Sequence, residues 1–183
     1  MKKNLKLLLS LFLFCISVNI ESQDIELTSD GTYEVKKVVE VPGVSTQTLY
    51  DRAVIALSDW TGASGKAKAG LDIHDRDAGI VVYKGHEYMW SKKQRRQEYD
   101  VFADFSLKVR CKDGKAQITS TIHSMTAAGR TYILRDAIQV SQKEKDSDER
   151  KQEIAERVKK VKSIADVLLT SMEDRLKTDA DDF

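Results

Sequence analysis

Histidine, cysteine and clustered charge are scarce enough in this 183-residue chain to be weighed one by one. His74 and His86 stand near Asp72, Asp75 and Glu87. Imidazole nitrogens and carboxylate oxygens are the donors a borderline metal ion takes. Their spacing is loose, with no two histidines four apart on a helix, so they read as surface histidines beside acids. Asp72, Asp75 and Asp77 imitate the opening of a calcium loop, but the required glycine and closing bidentate glutamate are out of register. A solvated hairpin turn is the expectation there. Gly65-Lys66 lies in a glycine-rich stretch, yet Ala67 follows the lysine and the segment trails a helix instead of opening one, which a phosphate loop cannot do. Cys111 is the single cysteine beyond the first 22 residues. It has the parity of a core position at a strand end and no assigned base, which makes it a buried thiol. No serine stands in a nucleophile elbow. These residues compose no catalytic constellation, so the expected protein is not an enzyme and uses no metal and no cofactor.

Two other groups suit binding. Lys92, Lys93, Arg95 and Arg96, with Trp90 and Tyr88 alongside, form a basic, aromatic-flanked cluster expected on a loop from Met89 to Gln97. That composition holds anions. The second group shares one face of a sheet: Phe102, Lys108, Arg110, Thr119, Thr121 and His123.

The elements that position them are legible by period. From Tyr99 to Lys112, Tyr99, Val101, Ala103, Phe105, Leu107, Val109 and Cys111 alternate with more polar residues. Alternation at period two over that length marks a half-buried strand. Asp113-Gly114 turns it into a second strand whose inner face continues as Ala116, Ile118, Ser120 and Ile122. Tyr33 to Val41 is a strand stopped by Pro42-Gly43. Ser45 caps a helix from Thr46 to about Trp60, with Leu49, Ala53, Ala56 and Leu57 on one side. Residues 62–70 read as a flexible connection. Leu71–Asp75 and Gly79–Glu87 read as two strands about a turn at Arg76-Asp77-Ala78-Gly79.

After a charged segment over 142–151, Ser147 is placed to cap a last helix of about 28 residues, roughly 40 Å long. Ile154, Val158, Val161, Ala165, Leu168 and Met172 form its apolar stripe, widened by Ile164, Val167, Leu169 and Leu176. The expectation is an α+β fold of order β-α-β4-α: an antiparallel sheet with one face covered by two helices, the C-terminal one long.

The N-terminus bears on location. Lys2 and Lys3 precede an apolar run from Leu5 to Val18, and Ser22 offers a small residue for cleavage. The pattern predicts a secretory signal peptide over residues 1–22, too short for a membrane span. Phe14 before Cys15 argues against lipid attachment there. Residues 23–32 then form an N-terminal extension, 33–177 a single domain and 178–183 an acidic tail. Without residues 1–22 the chain has 27 basic and 28 acidic residues. Such a balance gives no whole-protein attraction to nucleic acid.

Tyr33-Glu34-Val35 leading to Val41-Pro42-Gly43, Leu49-Tyr50, Trp60, the turn from Asp75 to Gly79, and the strand from Tyr99 into Lys112-Asp113-Gly114-Lys115 resemble a family of bacterial domains of unknown function. The resemblance covers about residues 33–125. It implies a fold like that of the TATA-binding protein (TBP-like) in exported proteins of Gram-negative bacteria, and it brings no catalytic residue or ligand. The function expected is a periplasmic or surface-exposed binding domain for a cell-envelope component. The alternatives are an interaction module that dimerises or docks through the last helix, and an envelope hydrolase.

Overall fold

The structure is a computed structural model that describes residues 26–63, 70–94, 97–139 and 148–178. The elements are β1 (Tyr33–Glu40), α1 (Thr46–Ala63), β2 (Gly70–Asp75), β3 (Ile80–Gln94), β4 (Gln97–Lys112), β5 (Lys115–Ala127), β6 (Arg130–Ile133), α2 (Leu134–Gln139) and α3 (Asp148–Lys177). The strands form one antiparallel sheet in the order β1-β5-β4-β3-β2. β6 pairs with β5 from Ser124 to Ala127, beyond the stretch that β1 pairs from Lys115 to Ile122. β4 occupies the other edge of β5, so β1 and β6 share one edge end to end.

The period-two strand behaves as its alternation requires. Val101, Ala103, Phe105, Leu107, Val109 and Cys111 are buried, as are Ala116, Ile118, Ser120 and Ile122 on β5. α1 and α3 cover this face, meeting it through Leu49, Ala53 and Leu57 and through Val158, Val161, Ala165, Leu168 and Met172. Leu169 and Leu176 are also buried, but Val167 is 60% exposed and does not widen the stripe. Side-chain hydrogen bonds cap α1 and fix the helices to their neighbours. Ser45 Oγ accepts the Thr48 amide at 3.2 Å, as an N-cap should. Asp113, from the β4–β5 turn, accepts the Thr46 amide at 2.8 Å and the Thr46 hydroxyl at 2.7 Å. Its carboxylate thus meets the positive end of the α1 dipole. Arg52 of α1 is buried and donates to the Leu176 carbonyl at 3.0 Å, satisfying the C-terminal end of α3.

Three expectations need correction. Residues Met89–Gln94 are the end of β3 and not a loop; the β3–β4 ladder continues to Gln94↔Gln97. The strand continues because its backbone groups pair with those of β4, which charge on the side chains does not prevent. Second, the order β-α-β4-α omits β6 and α2, each too short to display a period. Third, α1 runs to Ala63 and β2 begins at Gly70, which shortens the connection expected over 62–70. The signal peptide, Cys15, residues 64–69, the Arg95-Arg96 pair, the Ser147 cap and the tail from 179 lie outside the described residues. Among the described residues no helix is long and apolar enough to cross a membrane. Part of the expected extension is tied down. Leu27 packs on the core, and Arg135 donates to the Ser29 carbonyl at 2.5 Å.

Candidate functional site on the open sheet face

Strands β1 and β3 to β6 present side chains in cross-strand rows on the face that no helix covers. One row is Tyr88↔Phe102↔Thr126↔Thr131 and the next is His86↔Asp104↔Ser124. Then come Lys84↔Ser106↔Thr121↔Glu34, Val82↔Lys108↔Thr119↔Lys36, and Ile80↔Arg110↔Gln117↔Val38. Last is Lys112↔Lys115↔Glu40. A register shift between Asp104 and Phe105 leaves His123 unpaired. This bulge turns His123 and Ser124 to the same face, because the side chains on either side of it, Ile122 and Met125, are both buried.

The rows near Phe102 form one polar and aromatic network. His86 Nδ1 lies 2.6 Å from Asp104 Oδ1, and Ser124 Oγ donates to Asp104 Oδ2. The His86 ring stacks on Phe102 at 4.7 Å and 14°, and Tyr88 meets Phe102 edge-on at 6.0 Å. Ser106 Oγ and His123 Nε2 are 2.9 Å apart. Burial and the nearby Lys84 hold His123 below its ordinary value of 6.5, while Asp104 pulls the other way. At neutral pH its imidazole is therefore uncharged and can accept the Ser106 proton.

The rows toward the Asp113 turn are different. Lys108, Arg110, Lys112 and Lys115 share this face, and among the described residues none of them has an ion-pair or hydrogen-bond partner. Lys84 is paired with Asp72 at 3.0 Å, and Lys36 with Glu34 at 2.6 Å. The face is thus aromatic and hydrogen-bonded at one end and cationic at the other.

All six expected face residues lie here, but in two groups. Phe102 and His123 belong to the network, while Lys108, Arg110 and Thr119 belong to the cationic rows. Thr121 reaches Glu34 at 3.5 Å. Lys92 and Lys93 lie on β3 opposite Tyr99 and Glu98. Trp90 does not join them in a loop: it is half-buried against the core, with Lys160 Nζ 4.4 Å from its ring centroid.

The other candidates disperse. His74 pairs with Val81, five residues along β3 from His86, or roughly 16 Å of strand. Among the described residues no three metal-ligating side chains gather. Asp72 is taken by Lys84, and Asp75 accepts the Ala78 amide within its turn. Cys111 is 2% exposed and burial pushes its thiol up to about 11, so it stays protonated.

Asp104, Ser106, Ser124, His86 and Tyr88 complete the network but were not singled out together as a site. The parity of β3 would have put His86 beside Tyr88. The bulge that brings Ser124 in has no marker in its residue types. A relay of serine, histidine and carboxylate needs one imidazole to bridge the other two. Here the parts fall into two separate pairs, Ser106–His123 and His86–Asp104.

Residues 36–125 match the family described as "Domain of unknown function (DUF4468) with TBP-like fold". The structure is similar to that of a DUF4468 family protein from Bacteroides ovatus, with a TM-score of 0.66 and 14% identity, over 88% of this chain and 94% of that one. It is also similar to a TBP-like protein from Parabacteroides distasonis, with a TM-score of 0.61 and 10% identity, over 85% of this chain and 98% of that one. No curated protein is significantly similar to the chain. At these identities the likeness establishes the TBP-like fold.

Proposed function

We propose that this chain, a DUF4468-family domain with a TBP-like fold, is an exported, non-enzymatic domain that holds an anionic polymer of the cell envelope across its open sheet face. One observation carries the reading: Lys108, Arg110, Lys112 and Lys115 stand on one face, and among the described residues none of them has an acidic ion-pair partner. Cations left unneutralised on a flat surface attract extended polyanions. The aromatic rows at Phe102 and Tyr88 extend the same surface and offer flat contacts to a sugar or acyl backbone. The basic, apolar and small-residue pattern of residues 1–22 supports export. The split into a Ser106–His123 pair and a His86–Asp104 pair favours binding over hydrolysis. Burial of the α3 stripe in its own sheet leaves little of it for docking.

The test is retention on immobilised polygalacturonate, a carboxylated polysaccharide, with neutral dextran as the control, using protein recovered from the envelope. A mass beginning at Gln23 supports export. Each cation near an anionic surface contributes about 1 kcal/mol, so Lys108→Gln with Arg110→Gln should weaken retention roughly 30-fold. Retention that ignores these substitutions, or equal retention on dextran, would overturn the reading.

A further inference from the structure

On the covered face, where the outer ends of β3 to β6 meet α2 and α3, lies a cavity of about 230 Å³. Trp90, Tyr99, Met125, Tyr132, Asp136 and Arg157 are among the side chains that line it. It is separate from the open face and does not depend on the reading above. It is smaller than the ~300–1,000 Å³ of pockets for drug-sized ligands, so its occupant is compact.

Two charges of opposite sign line this cavity, Asp136 exposed at its rim and Arg157 partly buried. Arg157 donates to the Ala137 carbonyl at 2.9 Å and to Glu153 at 2.8 Å. That uses two of its five N–H groups. Asp136 has no hydrogen-bond or ion-pair partner among the described residues. Asp136 and Tyr132 are exposed and stand at the mouth of the cavity, while the half-buried Trp90 indole N–H has no partner among the described residues. The remaining walls are aromatic rings and a thioether. Lys160 packs on the Trp90 ring.

We infer that this cavity binds a free amino acid with an aromatic or branched aliphatic side chain. Its carboxylate takes the remaining Arg157 donors, its ammonium takes Asp136, and its side chain lies against Trp90, Tyr99 and Met125. A carboxylate at the mouth of an apolar cavity and a guanidinium with donors to spare complement a zwitterion, which engages both where a singly charged molecule engages one.

The experiment uses protein labelled with ¹³C at the methionine methyl groups and titrated with L-phenylalanine. The expected result is a saturable shift of the Met125 methyl while Met172, buried elsewhere in the core, stays still. Phenylethylamine lacks the carboxylate and 3-phenylpropanoate lacks the ammonium, so each should bind at least about tenfold more weakly. Asp136→Asn should weaken L-phenylalanine by a similar factor, and Ala127→Leu, which fills the cavity, should abolish the shift. The methyl spectrum of each variant reports whether the fold is kept. The inference is overturned by the absence of a saturable shift at millimolar ligand, by equal binding of the two truncated analogues, or by binding that survives both substitutions in folded protein. Loss of polymer retention on the open face would leave it standing.

Discussion

A methyl group at position 85 would stand 2.4 Å from Cζ of Phe105 and 3.0 Å from a ring carbon of Tyr83. Both rings are buried, 5.9 Å apart, and neither can swing into solvent. Gly85 is therefore the gap into which the Phe105 ring packs, and its missing side chain is a packing requirement. Gly85→Ala is expected to destabilise the fold by about 1–3 kcal/mol through overpacking. A shift of the urea midpoint measures this; an unchanged midpoint would mean the rings have room to move. Little in the residue types around 85 announces this role. A glycine amid Tyr83-Lys84-Gly85-His86 reads equally as a bulge or a weak strand. The same holds for His123 and Ser124, where one inserted residue changes which side chains face solvent.

Elements were legible in proportion to their length. The fourteen alternating residues of β4 and the long stripe of α3 display many periods, and burial selects the same residues that the period does. β6 has four residues and α2 has six, and the β5–β6 hairpin carries no conventional signal. Ala127 pairs with Arg130 across Ala128 (φ 50°) and Gly129 (φ 74°), two consecutive left-handed residues. A two-residue turn with both φ values positive fits the twist of the strands, and Asn-Gly is its preferred sequence. An alanine in the first position strains the backbone and hides the turn from the reader. Ala128→Asn is therefore expected to stabilise the protein by about 1 kcal/mol. Thermal or chemical unfolding would check it, and a loss of stability would contradict the left-handed assignment. The candidate face was legible because it is the polar complement of a long alternating strand. The β3 hairpin end reads as a loop because its basic residues have loop composition.

Across the whole molecule, acid-sensitive contacts sit at the joints between elements. Hydrogen bonds from Thr46 hold Asp113 below its ordinary 3.8, and those from Lys177 and Lys37 hold Glu173 below 4.5. Both contributions are complete above the ordinary carboxylate values and are lost as pH falls through the lowered ones. His123 acts earlier: its lowered value lets the unfolded chain bind a proton that the folded chain refuses, so stability falls as pH drops below 6.5. Half-buried Glu87 opposes the trend, because burial raises it above 4.5 and its protonation favours the fold. The expected profile declines from pH 7 to below pH 3.8. His123→Gln should flatten the upper part and Asp113→Asn the lower, as read from denaturant midpoints at each pH; variants with the wild-type profile would refute the assignment. The edge of β5 shared by β1 and β6 bears on folding order as well. The hairpins from β2 to β6 join neighbours in the chain, but Glu40 of β1 pairs with Lys115 and Tyr33 with Ile122. Contacts of such sequence separation close late. A newly made chain therefore carries β1 unpaired until β5 has emerged, and until then one edge of the growing sheet stays open.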